Sequence, residues 1–217
     1  MKKIKILIAD DHPIVRAGFK QVISDMPDML VADEASNGQE VLNYIGKKDY
    51  DLVLLDISMP GRSGLEILKD LKSEKPKLPV LILSIYPEEQ YAIRALRAGA
   101  SGYMTKASAP NELIAAIRKI SEGGKYISAS LAEKLTYYLD GDASRPLHEA
   151  LSDREYQVML MIASGKTVTQ VGDELCLSVK TISTYRARVM EKMNMKKNAE
   201  LTLYAIRNRL IDCSTTF

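Results

Sequence analysis

"VLLDISMPGRSG", Val53–Gly64, sets three apolar residues directly against an aspartate. Val53, Leu54 and Leu55 read as the end of a buried strand. Asp56 follows at once, and Pro60, Gly61 and Gly64 then break the chain. A carboxylate at the exit of a core strand is expensive to desolvate. It either caps a neighbouring element or does chemistry.

Working outward, the first 125 residues alternate strand and helix signals. Short apolar runs occur at Ile4–Ala9, Leu30–Ala35, Leu52–Leu55, Val80–Leu83 and Gly102–Met104. Helical stretches lie between and after them at Pro13–Ser24, Gln39–Gly46, Leu65–Ser73, Glu88–Ala98 and Asn111–Ser121. Pro13 marks a helix's first turn and Gly99 closes another. Five such units imply an α/β domain, a five-stranded parallel sheet doubly wound with helices on both faces. Its strands are expected to be buried on both sides. A helical connector, "SASLAEKLTYYL", comes next, and then "DGDASRPLHEA" (Asp140–Ala150), whose Gly, Pro and small polar residues mark a linker. The expected division is 1–125, a connector and linker at 126–149, and a second domain at 150–217.

The second domain reads as all-α with four helices. "SDRE" (Ser152–Glu155) is a capping box. "SGKT" stops that helix and Thr167 starts the next. "CLS" (Cys176–Ser178) turns into a third helix that runs to about Met193, and a fourth spans Asn198 to about Asn208. Short helices joined by a tight turn give a helix-turn-helix outline. On a 100° wheel Ile182, Tyr185, Val189 and Met193 share one sector and should face the core. Lys180, Ser183, Thr184, Ala187 and Arg188 lie on the other side, flanked by Lys192 and Arg186, which could reach phosphates. That slim polar face suits a helix in a DNA major groove. Cys176–Lys197 carries Lys180, Arg186, Arg188, Lys192, Lys196 and Lys197 against the single acid Glu191, a local basic patch on a chain of net charge +2.

Composition excludes several classes. Two cysteines in 217 residues do not make a disulfide scaffold and suit a reducing compartment. The apolar run "LPVLILSIY" is far short of the ~20 residues of a membrane span. The N-terminus "MKKIKILIADD" meets Asp10 and Asp11 too early for a signal sequence. A cytoplasmic protein with no membrane partner is expected.

In a parallel doubly wound sheet, the loops after the strand C-termini form one crevice. Asp10 and Asp11 fall there after the first strand, Asp56 after the third, Ser84 after the fourth and Thr105–Lys106 after the fifth. Carboxylates that close repel one another unless compensated. Mg²⁺, with its oxygen ligands and retained waters, would compensate them, and the lysine adds a second positive charge. Phosphoryl transfer is mostly positioning and charge neutralisation, so the set suits an aspartate that accepts a phosphoryl group. Singly, Asp10 or Asp11 could simply cap the helix at Pro13, and Ser84 could form a turn.

"ILIADDHPIVRAG", "DLVLLDISMPGRSG", "LILS" and "RALRAGASGYMTK" resemble, in order and spacing, the receiver domain of two-component response regulators. The resemblance implies that Asp56 is the phosphoacceptor. It implies that Asp10, Asp11, Asp56 and the backbone carbonyl of Ser58 hold Mg²⁺. Lys106 would contact the phosphoryl group, Ser84 would be the switch hydroxyl and Tyr103 the switch aromatic, unless Tyr103 is a plain core residue. "LSDREYQVMLMIASGKT", "LCLSVKTISTYRARVMEKM" and "AELTLYAIRNRLI" resemble the LuxR-type helix-turn-helix of the NarL/FixJ regulators. Departures include Gly172 where alanine is usual, Ser183 for a common lysine and Tyr185 for a common histidine.

Together these imply a transcription factor, not an enzyme, switched when a sensor histidine kinase phosphorylates Asp56. It would bind double-stranded promoter DNA through Lys180, Thr181, Ser183, Thr184, Ala187, Arg188 and Lys192, and act as a homodimer. The dimer surface stays open among the first and fifth receiver helices and the last helix. Two rivals remain: a DNA-binding regulator that needs no phosphorylation, and a phosphatase of the haloacid-dehalogenase type. The latter usually carries a second acid where Ser58 stands.

Overall fold

The computed structural model describes residues 3–128, 131–133 and 146–211. The chain separates into two compact units, Met1–Tyr137 and Tyr138–Phe217. No helix among the described residues is long and apolar enough to cross a membrane.

The first unit alternates strand and helix: β1 (Ile4–Ala9), α1 (Pro13–Ser24), β2 (Met29–Ala35), α2 (Gly38–Lys47), β3 (Leu52–Asp56), α3 (Gly64–Glu74), β4 (Val80–Ser84), α4 (Glu88–Arg97), β5 (Gly102–Thr105) and α5 (Pro110–Ser121). All pairings are parallel, in the order β2-β1-β3-β4-β5. One face of the sheet packs Ile6, Ile8, Leu52, Leu54, Leu81 and Leu83 against Ile23 of α1 and Leu113, Ile117 and Ile120 of α5. The central strands β3 and β4 are buried throughout, and their unbroken apolar runs reflect cover on both faces.

Two expectations need correction. β2 is an edge strand and is only partly buried, with Leu30 exposed. Its acids are balanced by side chains from neighbouring elements: Asp33 by Lys48 and the Tyr50 hydroxyl, Glu34 by Lys20. Strands β3, β4 and β5 also run one residue further than expected. Asp56, Ser84 and Thr105 are therefore the last strand residues, because the ladder continues through Ile57 N–H to the Leu83 carbonyl and Lys106 N–H to the Ser84 carbonyl.

After α5 the chain returns to the β5 edge. Tyr126 N–H bonds the Ser101 carbonyl and pairs with Gly102, where any Cβ would come within 2.7 Å of the Tyr126 carbonyl oxygen. Ser128 Oγ then accepts from Leu131 N–H, and residues 131–133 are helical. The rest of the expected connector helix lies outside the described residues, as does residue 140–145 of the expected linker.

The second unit comprises α6 (Asp153–Ala163), α7 (Val168–Leu175), α8 (Val179–Lys192) and α9 (Asn198–Arg207). Its starts match their sequence signals: Ser152 with Glu155 and Thr167 with Gln170 form capping boxes, and Ser178 caps α8. The last residues of the expected linker have regular structure. Leu147–Ala150 form a 3₁₀ turn in which His148 is buried against Tyr156 and Tyr204, its Nδ1 2.8 Å from the Tyr204 hydroxyl. Apolar and aromatic contact thus builds this segment into the helical unit.

Ile182, Val189 and Met193 are buried as the wheel predicts, joined by Met190, while Tyr185 is half-buried. α6 is buried around its circumference, including Glu155. Lys192 from the end of α8 reaches that carboxylate at 2.6 Å, across the unit. Burial pushes the Glu155 carboxyl up, but Lys192 and the Ser152 amide and hydroxyl outweigh it and hold it below the ordinary range. A depressed folded-state value stabilises above the unfolded value, and that stability is lost as pH falls through the folded one. Lys192→Met should therefore destabilise the helical unit by about 1–3 kcal/mol in neutral denaturant titrations. The gap from wild type should narrow as the pH drops below the ordinary carboxylate range. A pH-independent gap would mean that the pair is not the cause.

Candidate functional site

Strands β1, β3 and β5 deliver their C-terminal residues to one sheet edge, as parallel strands must. Lys106 Nζ lies 2.7 Å from Asp10 Oδ2 and 2.7 Å from Asp56 Oδ2. Asp10 and Asp56 are 1% and 0% exposed, so their charges sit out of solvent. The remaining oxygens are held by backbone: Asp10 Oδ1 accepts from His12 N–H at 2.8 Å, and Asp56 Oδ1 accepts from Ser58 N–H at 3.1 Å. Asp10 thus shapes the turn into α1 without being its N-cap residue, which is His12. Asp11 Oδ1 lies 2.9 Å from His12 Nδ1.

The electrostatics follow from this crowding. Burial pushes the Asp56 carboxyl up and the Asp10 charge adds to that, while Lys106 and the Ser58 amide pull against them; burial prevails. Burial also depresses the Lys106 ammonium, but Asp56 and Asp10 together outweigh it and raise it. One ammonium faces three carboxylates, which leaves the pocket negative. The ligand atoms of Asp10, Asp11, His12 and Asp56 lie within 4.8 Å of one another. Ser58 Oγ is buried with no hydrogen-bond partner among the described residues. Negative charge with mostly oxygen donors fits a hard divalent cation.

Gly64 sets the shape of this edge. A Cβ there would lie 2.2 Å from the Asp56 carbonyl oxygen and 2.7 Å from Ile57 Cα. Only glycine lets α3 begin directly against the end of β3, and its N–H bonds the Ile57 carbonyl at 3.0 Å. Gly61 takes a left-handed backbone with φ +79°. The expectation that both glycines merely turn the chain is sharpened: Gly61 turns it, and Gly64 permits a close backbone approach.

Ser84 and Tyr103 lie on the neighbouring strands. Ser84 is buried, and its hydroxyl accepts from Tyr86 N–H at 3.0 Å. Tyr103 is wholly buried and outside the acidic pocket; its hydroxyl donates to the Tyr86 carbonyl at 2.9 Å. Both residues therefore hold the β4–α4 loop by one residue, Tyr86. Two residues on, Glu88 opens α4 and its carboxylate accepts from the Ser128 hydroxyl. Sequence reasoning missed that bond, since Glu88 and Ser128 meet only through tertiary packing. It also passed over His12, although the residue stands inside the quoted motif.

In the second unit, the expected reading residues divide. Lys180, Ser183, Thr184, Ala187 and Arg188 are exposed on α8, and Thr181 is half-buried. Lys180 and Arg188 side chains have no hydrogen-bond or ion partner among the described residues. Thr181 is tied to Ser178, and Thr184 Oγ1 donates to the Lys180 carbonyl. Lys192 is engaged by Glu155, and Arg186 donates twice to Asn198 Oδ1. Gly172 has a local reason: a Cβ there would lie 2.8 Å from the Leu177 carbonyl oxygen. The turn before α8 presses on α7 at that point, with Cys176 left-handed at φ +53°.

A chain with a phosphoryl-type acidic pocket followed by helix-turn-helix helices defines a class, the DNA-binding response regulators. Residues 6–118 match the family of response regulator receiver domains. Residues 149–205 match the bacterial regulatory proteins of the luxR family. The chain belongs to the two-component response regulators that carry a LuxR-type DNA-binding domain, a family of transcription regulators rather than enzymes. It is 37% identical over 211 residues to the response regulator GacA of Pseudomonas protegens, covering 97% of this chain and 99% of that one. It is 34% identical over 213 residues to the response regulator UvrY of Escherichia coli K12, covering 98% of each. Among solved structures it resembles RcsB from Salmonella enterica serovar Typhimurium bound to promoter rprA with a phosphomimetic, with a TM-score of 0.65, 26% identity, and coverage of 94% of this chain and 98% of that one.

The close approach at Gly64 makes a specific prediction. Gly64→Ala should destabilise the first unit by about 1–3 kcal/mol, because the methyl meets backbone that cannot give way. Chemical denaturation of the full chain measures this, and wild-type stability in the variant would contradict the packing.

Proposed function

We propose that Asp56 accepts a phosphoryl group from a sensor histidine kinase, and that the modified receiver changes promoter binding by α8. The observation that supports this best is the half-buried Lys106 ammonium shared at 2.7 Å by the buried carboxylates of Asp10 and Asp56 in an otherwise acidic pocket. An Asp56 oxygen attacks the phosphorus, the bond to the donor breaks, and the leaving group takes the electron pair. Lys106 is poised to leave carboxylate oxygens for phosphoryl oxygens. Asp10 and Asp11, with Asp56 and the Ser58 carbonyl, would hold Mg²⁺. When bound, Mg²⁺ neutralises charge on the transferring oxygens.

The output begins at Ser84. Its hydroxyl can exchange the Tyr86 amide for a phosphoryl oxygen, which frees the loop that Tyr103 also holds. Two loop states then differ by local hydrogen bonds, and the modification shifts their populations. The Glu88–Ser128 bond connects that loop to the chain leaving the receiver. At the far end, Lys180, Thr181, Ser183, Thr184, Ala187 and Arg188 form the DNA face, with Lys192 chiefly structural. On this reading residues 1–125 are the receiver and the DNA-binding domain begins at Leu147. The active species is a cytoplasmic homodimer on half-sites roughly one helical turn apart. A solved structure described as two RcsB dimers bound to two parallel DNAs supports the dimeric reading.

The first step is tested with a labelled small phosphodonor and Mg²⁺. Wild type should take up label and Asp56→Ala none; persistent label in the variant would sink the assignment. The same proteins are then titrated on DNA selected by the phosphorylated form. Lys180→Ala and Arg188→Ala should label normally, bind more weakly, and each lower the salt slope by about 1. Glu88→Ala should label normally while its DNA affinity no longer responds to the donor. A normal response would remove that bond from the path.

A further inference from the structure

His12 stands at the mouth of the acidic pocket, and neither the phosphoryl chemistry nor the switch uses its side chain. Its backbone is fixed on both sides: its N–H donates to Asp10 Oδ1, and Pro13 follows in the first turn of α1. Its imidazole Nδ1 lies 2.9 Å from Asp11 Oδ1 and 3.3 Å from Asp10 Oδ1. An octahedral ion with ~2.1 Å bonds has neighbouring ligands about 3.0 Å apart. The imidazole nitrogen already stands near that spacing from each of the two carboxylate oxygens. The side chain is 61% exposed, so an incoming ion meets it first.

We propose that His12 makes this pocket a mixed nitrogen–oxygen chelate that holds late first-row divalent ions, such as Ni²⁺, more tightly than Mg²⁺. The inference rests on reading the pocket as a divalent-cation site. Carboxylates and water suit Mg²⁺, whereas an imidazole nitrogen favours the late first-row ions. Asp10, Asp11 and Asp56 supply oxygens to either, and His12 discriminates. The chain has two histidines. The other, His148, is buried with its Nδ1 on the Tyr204 hydroxyl, so it does not compete.

Isothermal titration of the untagged full chain with NiCl₂ and, separately, MgCl₂ tests this, in a Cys176→Ser, Cys213→Ser background that removes soft thiol ligands. Ni²⁺ should bind at least roughly tenfold tighter than Mg²⁺. His12→Ala should weaken Ni²⁺ by roughly tenfold or more, at least the loss seen when a ligand's orienting partner is removed. Its Mg²⁺ affinity should stay within about twofold, which also shows the pocket still folded. Asp10→Asn should weaken both ions. Unchanged Ni²⁺ binding in His12→Ala, with Mg²⁺ still bound, would overturn the role of His12 alone. Failure of wild type to bind either ion would overturn the divalent-cation reading beneath it.

Discussion

Much of the first unit is organised around one ammonium group. Lys106 Nζ is held between two carboxylates that are almost wholly shielded from water, 2.7 Å from each. Without it, Asp10 and Asp56 would be like charges confined together in a medium where their repulsion is poorly screened. The geometry needs β1, β3 and β5 to end at the same edge, which a parallel sheet in this order provides. It also needs α3 to start hard against β3, which Gly64 permits. One positive charge does not balance three negative ones, and the surplus is what makes the pocket receptive to a cation.

The surplus has a mechanical side. Ser84 and Tyr103 both bond Tyr86, one to its amide and the other to its carbonyl. Anything that draws the Ser84 hydroxyl toward the end of β3 removes half of that grip. The loop they hold leads within two residues to Glu88, which holds Ser128 at the start of the segment leaving the receiver. On the proposed reading, these few hydrogen bonds link a change of charge at Asp56 to the chain that leaves the receiver. That economy suits a switch, whose two states must stay within a few kcal/mol of each other.

In the helical unit, charge is divided between structure and exposure. The basic run Cys176–Lys197 reads as one patch, but Lys192 neutralises buried Glu155 and Arg186 clamps Asn198. Lys180 and Arg188 remain exposed on α8. Counting basic residues thus overstates the charge offered to a partner, because part of it ties α8 to α6 and α9. The same crowding explains Gly172, which lies where the turn's carbonyl leaves no space for a methyl group.

The element order, the parallel sheet and the convergence of Asp10, Asp11, Asp56 and Lys106 were legible because they follow from local pattern plus one topological rule. Apolar runs, caps and turn residues act within a few positions, so each segment carries its own signal. The capping box at Ser152 and the helix start at Thr167 were readable to the residue for that reason. β2 was misjudged as fully buried because edge position depends on which strands pair, and no local run encodes that. The roles of Gly64, Gly172, Lys192 and His148 were likewise hidden. Each depends on an atom brought close by packing: the Asp56 carbonyl, the Leu177 carbonyl, Glu155 or Tyr204. The sequence alone determined which residues could form a phosphoacceptor edge and a DNA-reading helix. Only the tertiary structure decided which charges are free and which are already spoken for, because ion pairs and close contacts depend on distance in space and not on distance along the chain.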